Sequence, residues 1–150
     1  MAQKNLNKHT NSNPELWKTY QNIRLKWLAE PLGCRTYAII TAYNPRSTTA
    51  PEATNQLNQR KLVAAISQYT SRMSEMVVGD PLMDYSEPSI AAALSKQDAI
   101  ALASKFEQNA IYWVEAGQLW LIPALITEHQ ACCLGDVSHF IFTNGDATDE

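Results

Sequence analysis

Along the first third of the chain the apolar positions Leu16, Trp17, Tyr20, Ile23, Trp27 and Leu28 recur at steps of three and four, the spacing of one helix face. Asn13 as N-cap and Pro14 at the first helical position start that predicted helix. Pro31, with Gly33 behind it, stops it. "TYAIITAY", Thr36 to Tyr43, is β-branched and aromatic with almost no polar interruption, as expected of a strand buried on both faces. A helix to about Tyr69 follows, opened by Thr49 and Glu52 as a capping box. Its inward face runs back from Tyr69, Ile66 and Leu62 to Gln59 and Asn55. The apolar stripe therefore ends in polar residues, and Asn55 is predicted to point at Asn44, where the first strand ends.

"MSEMVVG" and "PSIAAAL" read as two further strands around the turn-rich "DPLMDYSE". Ser95 with Asp98 caps a helix carrying Ala99, Ala103 and Phe106 on one face. "AIYWV" and "LWLIPAL", joined through "EAGQ", make a hairpin, and a last strand is expected around His139 to Thr143. The predicted architecture is α+β: a largely antiparallel sheet of about five strands with helices packed on it, a ferredoxin-like βαββαβ variant with an added N-terminal helix. One domain is expected over residues 14–143, between a disordered polar tail, 1–13, and an acidic tail, 144–150. Tyr112 and Trp113 must face opposite sides of their strand. A side left uncovered by the N-terminal helix would be a contact surface for a partner or a second subunit of a homo-oligomer.

The 150 residues, 45% hydrophobic and 18% charged, suffice to bury roughly two thirds of the unfolded surface in one core. A net charge of −3 and a sequence pI near 5.6 argue against a nucleic-acid binder working by general electrostatics, although "KNLNKH", "RLKW" and "NQRK" gather positive charge in the first half. No secretory leader pattern and no run of eighteen apolar residues occurs, so no membrane association is expected. Three cysteines, Cys34, Cys132 and Cys133, have no framework spacing. They read as reduced thiols of a cytoplasmic protein.

"ITAYNPRS", the Asn of "EATNQLNQRKL", "GDPLMDYSEPSIAAAL" and "ALASKFEQNAIYW" together resemble the bacterial domain-of-unknown-function family 3293. The resemblance extends over about Leu16 to Ile122. It places the family pattern on Thr41, Asn44, Pro45, Asn55, Gly79, Glu87, Pro88 and Gln108, and implies no reaction, cofactor or partner.

Two candidate sites follow from the residues themselves. The strand-to-helix junction "NPRSTTAPEATN" offers a helix N-terminus with Arg46, Ser47, Thr48 and Thr49 for an anion. It has neither the glycine run nor the lysine of a phosphate loop, and an Asx turn at Asn44 explains the same residues. The second candidate is a polar constellation of Asn44, Asn55, Glu87 and Gln108, each at the end of an element. Amides and a carboxylate on one rim can read a ligand through paired donors and acceptors, or can brace loops. Asp80, Asp84 and Glu87 lack metal-loop spacing, and His129 with Cys132 and Cys133 is at most half a zinc site, so neither a metal nor a cofactor is expected. The expected function is a small binding or interaction module with a polar rim pocket, taking a small molecule or protein partner through Asn44, Arg46, Asn55, Glu87 and Gln108. The alternatives are a hydrolase or nuclease acting on a phosphorylated or nucleotide substrate, and a purely structural or oligomerisation module.

Overall fold

The computed structural model describes residues 14–143; Asn13 and the two predicted tails lie outside the described residues. The chain runs α1 (Pro14–Gln21), β1 (Arg24–Trp27), β2 (Thr36–Ile40), α2 (Glu52–Ser67), β3 (Met73–Gly79), β4 (Ser86–Ala92), α3 (Lys96–Lys105), β5 (Ala110–Glu115), β6 (Gln118–Pro123) and β7 (Cys132–Asp136). Short 3-10 turns cover Pro45–Ser47 and Val137–Phe140. All seven strands form one sheet in the order β1-β3-β4-β2-β5-β6-β7, every neighbouring pair antiparallel. The fold is α+β as expected, but the sheet has seven strands rather than about five.

The two extra strands lie at the sheet's edges, and each corrects a specific expectation. The N-terminal helix ends at Gln21, and Arg24–Trp27 is a strand paired with β3. Ile23 and Trp27 are four residues apart, a spacing that satisfies a helix and, being even, a strand as well. Leu25 between them decides for the strand: all three pack on the same face of the sheet. At the other end the new strand is "CCLGD". The segment predicted as a strand at His139 to Thr143 is a 3-10 turn followed by a single bridge from Ile141 to Leu25. The predicted Thr49–Glu52 capping box is likewise absent. Pro51 precedes α2 with no side-chain cap, and Glu52 accepts a hydrogen bond from Tyr43 Oη instead.

Alternation along each strand gives the sheet two apolar faces. Ala38, Ile40, Ile90, Ala92, Ile111 and Trp113 pack under α2 and α3, against Leu62, Ile66, Ala99, Leu102 and Ala103. Tyr37, Ile39, Met76, Ala91, Val114 and Leu119 face the opposite way, and the sheet curls around them into a half-barrel. The curl is drawn together where the chain leaves β7: Ile141 bridges Leu25, Phe142 N donates to Leu25 O at 2.7 Å, and Val137, Phe140 and Ile141 pack on the inner face. Helix α1 lies across one end, with Trp17 buried against Leu121 and Ile126 and stacked on His129 at 4.6 Å. Trp113 thus faces the helices, and Tyr112 faces the inside of the curl beneath α1, so neither side of β5 is left bare.

Leu25 is fully buried at the seam of the curl, whereas Leu28, just past the end of β1, is 53% exposed. We expect Leu25→Ala to cost about 2–5 kcal/mol by cavity formation and Leu28→Ala less than about 0.5 kcal/mol. Urea unfolding midpoints of the two variants measure the difference.

Candidate functional site

Residue 44 ends the path of β2, and its backbone is left-handed (φ 47°, ψ 66°), a conformation asparagine tolerates better than most residues. Every polar group on its side chain has partners. Nδ2 donates to Tyr85 Oη at 2.8 Å and to Glu87 Oε2 at 2.9 Å, while Oδ1 accepts from Ala50 N at 3.0 Å and Asn55 Nδ2 at 2.9 Å. Asn55, 3% exposed, returns the contact: its Oδ1 accepts from Asn44 N at 2.8 Å. Backbone N–H groups at Ala50 and Asn44 can only donate, so the orientation of both amides is set by chemistry. One turn further along α2, Gln59 Oε1 accepts from Ala42 N at 2.8 Å and Gln59 Nε2 donates to Pro88 O at 3.2 Å. The two side chains pin α2 to the ends of β2 and β4.

Gln108 is placed by the way α3 ends. Glu107 takes a left-handed φ of 58° after the last helical turn, Gln108 N donates to Ala103 O, and Glu107 N donates to Ser104 O. These two bonds form a Schellman motif, here without its usual glycine. Gln108 Nε2 then donates to Tyr43 O at 3.1 Å and Phe106 O at 3.3 Å. Both partners are carbonyls, so this amide also has one allowed orientation, with Oε1 free of partners among the described residues. Beside it, Asn109 Nδ2 donates to Tyr20 Oη at 3.0 Å and Ser47 Oγ at 3.3 Å, and the two hydroxyls are hydrogen-bonded to each other. Tyr112 Oη donates to Tyr20 O. These bonds fasten α1 over the end of the sheet.

Between α1 and that end of the curl is a cavity of about 290 Å³, near the lower bound for a metabolite-sized pocket. Ile23, Ile39, Val78 and Leu121 give it apolar walls, and Asn44, Glu87, Gln108, Asn109, Tyr20 and Tyr85 are among its polar lining. Its charged groups are Asp80 and Glu87; among the described residues no Lys or Arg lines it. Burial raises the pKa of Tyr20 and Tyr112 above the ordinary tyrosine value, so both stay neutral hydroxyls. The Tyr85 hydroxyl is pushed up to about 12, by desolvation first and then by its hydrogen bond to Glu87.

The five candidate residues therefore divide. Asn44, Glu87 and Gln108 line the cavity, and Asn55 stands behind Asn44 as its brace. Arg46 does not join them. Its backbone N donates to Glu107 O at 2.7 Å and its guanidinium pairs with the Glu107 carboxylate at 3.1 Å, with both side chains about half exposed. The residues not foreseen as part of a site are Tyr20, Tyr85 and Asn109, while Ser47 was expected only in the anion site. Tyr20 belongs equally well to an apolar helix stripe. Tyr85, however, stands two residues before Glu87, and in an extended chain that spacing puts both side chains on one face.

Residues 40–111 match the family described as "Protein of unknown function (DUF3293)". No curated protein and no solved structure matches the chain. The match is shorter than the Leu16 to Ile122 expected from the motifs. It contains Asn44, Asn55, Glu87, Gln108 and Asn109, whereas α1 with Tyr20, β6 and β7 lie outside it.

Removing the brace leaves the part-buried Asn44 N–H unpaired and takes one of two donors from Asn44 Oδ1, so Asn55→Ala should cost about 1–3 kcal/mol. The exposed Arg46 pair should cost less than about 1 kcal/mol in Arg46→Ala, and chemical denaturation of both variants checks the contrast. A second expectation concerns Tyr85, whose pKa is higher folded than unfolded. The stability it contributes is fully present below its unfolded pKa and is lost as pH rises through about 12. Glu87→Gln removes the carboxylate's charge and should lower the Tyr85 midpoint, as followed by NMR of isotope-labelled tyrosine rings.

Proposed function

We propose that this chain is a binding protein for a small molecule held in the cavity beneath α1. The observation that carries the reading is the cavity itself, with apolar walls from the inside of the curl meeting a rim of polar groups from four separate segments: α1, the Asn44 corner, β4 with the loop before it, and the end of α3 leading into β5. A pocket that combines an apolar body with a few convergent polar groups is the usual form of a small-molecule site. In the same reading, the βαββαβ segment forming β3-β4-β2-β5 is a ferredoxin-like core, widened by β1, β6 and β7 into the curl that encloses the pocket. Three free cysteines and the absence, among the described residues, of a helix long and apolar enough to cross a membrane support a cytoplasmic protein.

The geometry gives less support to a hydrolase or nuclease acting on a phosphorylated substrate. Such a substrate needs positive charge or clustered N–H donors, and Arg46 is turned away from the cavity towards Glu107. The anion site anticipated at the α2 N-terminus has the same difficulty, because the Arg46 guanidinium that was to serve it pairs with Glu107.

A metabolite panel screened by thermal shift tests the proposal. A ligand at a hundred times its Kd should add about 2.7 kcal/mol to apparent stability and shift the side-chain amide NMR signals of Gln108 and Asn109. Stabilisation with shifts confined to another surface would overturn the cavity as the site.

A further inference from the structure

The rim's hydrogen-bond inventory is lopsided, and the imbalance points to a ligand class. Both Nδ2 protons of Asn44 are taken by Tyr85 and Glu87, both Nε2 protons of Gln108 by backbone carbonyls, and both Nδ2 protons of Asn109 by hydroxyls. All the amide donors of these three cavity-lining residues are therefore committed within the protein. The acceptors are not. Glu87 receives both of its bonds on Oε2, which leaves Oε1 without a partner among the described residues. Gln108 Oε1 accepts nothing from the described residues. Asn109 is 3% exposed, and its Oδ1, without a partner among the described residues, is buried out of a ligand's reach.

We propose, building on the cavity as the binding site, that its ligand is a cation with N–H donors, a primary ammonium carried on an apolar body. An ammonium has three donors and no acceptor, which suits the two acceptors open to the cavity, Glu87 Oε1 and Gln108 Oε1, one of them on a carboxylate. Its positive charge suits a lining whose charged groups are Asp80 and Glu87. The apolar body lies against Ile23, Ile39 and Leu121. A carboxylate or phosphate ligand would meet the same oxygens with no proton to offer them.

Three probes of one shape separate the possibilities: 2-phenylethylamine, 2-phenylethanol and 3-phenylpropanoate, titrated into the intact protein by calorimetry and by NMR of the Gln108 and Asn109 side-chain amides. The amine should bind at least tenfold tighter than the alcohol, and the carboxylate should not bind. In Glu87→Gln the side-chain oxygen remains on the Asn44 and Tyr85 donors, so its NH2 replaces Oε1 and an acceptor becomes a donor. The amine's advantage over the alcohol should then fall to threefold or less. If this variant does not fold, the wild-type comparison decides alone. Binding of the alcohol or the carboxylate as tightly as the amine, with shifts at the same amides, would overturn the cationic class and leave the cavity standing as a site. Failure of all three probes to shift those amides, together with failure of the metabolite panel, would overturn both.

Discussion

The reciprocal amide pair of Asn44 and Asn55 joins three parts of the molecule that would otherwise be free to move apart: the end of β2, the first turn of α2 and, through Tyr85 and Glu87, the start of β4. It is worth more than its separate bonds because both members are at least partly buried. In a medium of low dielectric a satisfied network is stiff, and a broken one is costly. The corner it stabilises is otherwise unfavourable, since Arg46 and Ser47 both sit at positive φ (57° and 61°). Such residues are held only when the surroundings over-determine them, and here the Arg46 bond to Glu107 O and the Ala50 bond to Asn44 close the loop from both sides.

That corner also sets what the cavity can recognise. Asn44 directs its own donors at Tyr85 and at one oxygen of Glu87, so the pocket meets a carboxylate with one oxygen in use and one open. The Schellman end of α3 does the same for Gln108, turning its NH2 to two carbonyls and leaving its oxygen over. Bonds that serve the fold thus decide the polarity of the site. The apolar walls have a different origin: they are the continuation of the curl's inner face where that face reaches α1. Gly79 is a further consequence. A Cβ there would stand 2.6 Å from Tyr85 O, so the loop carrying Tyr85 packs down on β3 only because that position has no side chain.

Much of the central architecture was legible from periodicity. The strand "TYAIITAY", the Ser95 cap, the hairpin through Ala116 and Gly117, and the polar end of the α2 stripe all follow from local rules, and Asn55 does stand against Asn44. Local rules failed at the sheet's margins. Ile23 and Trp27 satisfy two periods at once, and "CCLGD" has little β propensity, so both edge strands depend on the partners that receive them. The site was half legible for a related reason. A side chain at an element end can be identified from sequence, but the direction of Arg46 was set by Glu107, sixty-one residues away.

The amino-acid sequence by itself determined the kinds of elements, the two-faced apolar pattern of the central strands and the set of polar residues at their ends. Side-chain period and capping act over a few residues, and that information is local. Only the tertiary structure decided that the sheet would curl until Ile141 met Leu25, that α1 would close one end, and that the rim would offer acceptors rather than donors. Each of these depends on long-range partners. Whether an amide presents its oxygen or its nitrogen to a cavity is fixed by what its other end must satisfy, and no local pattern encodes that choice.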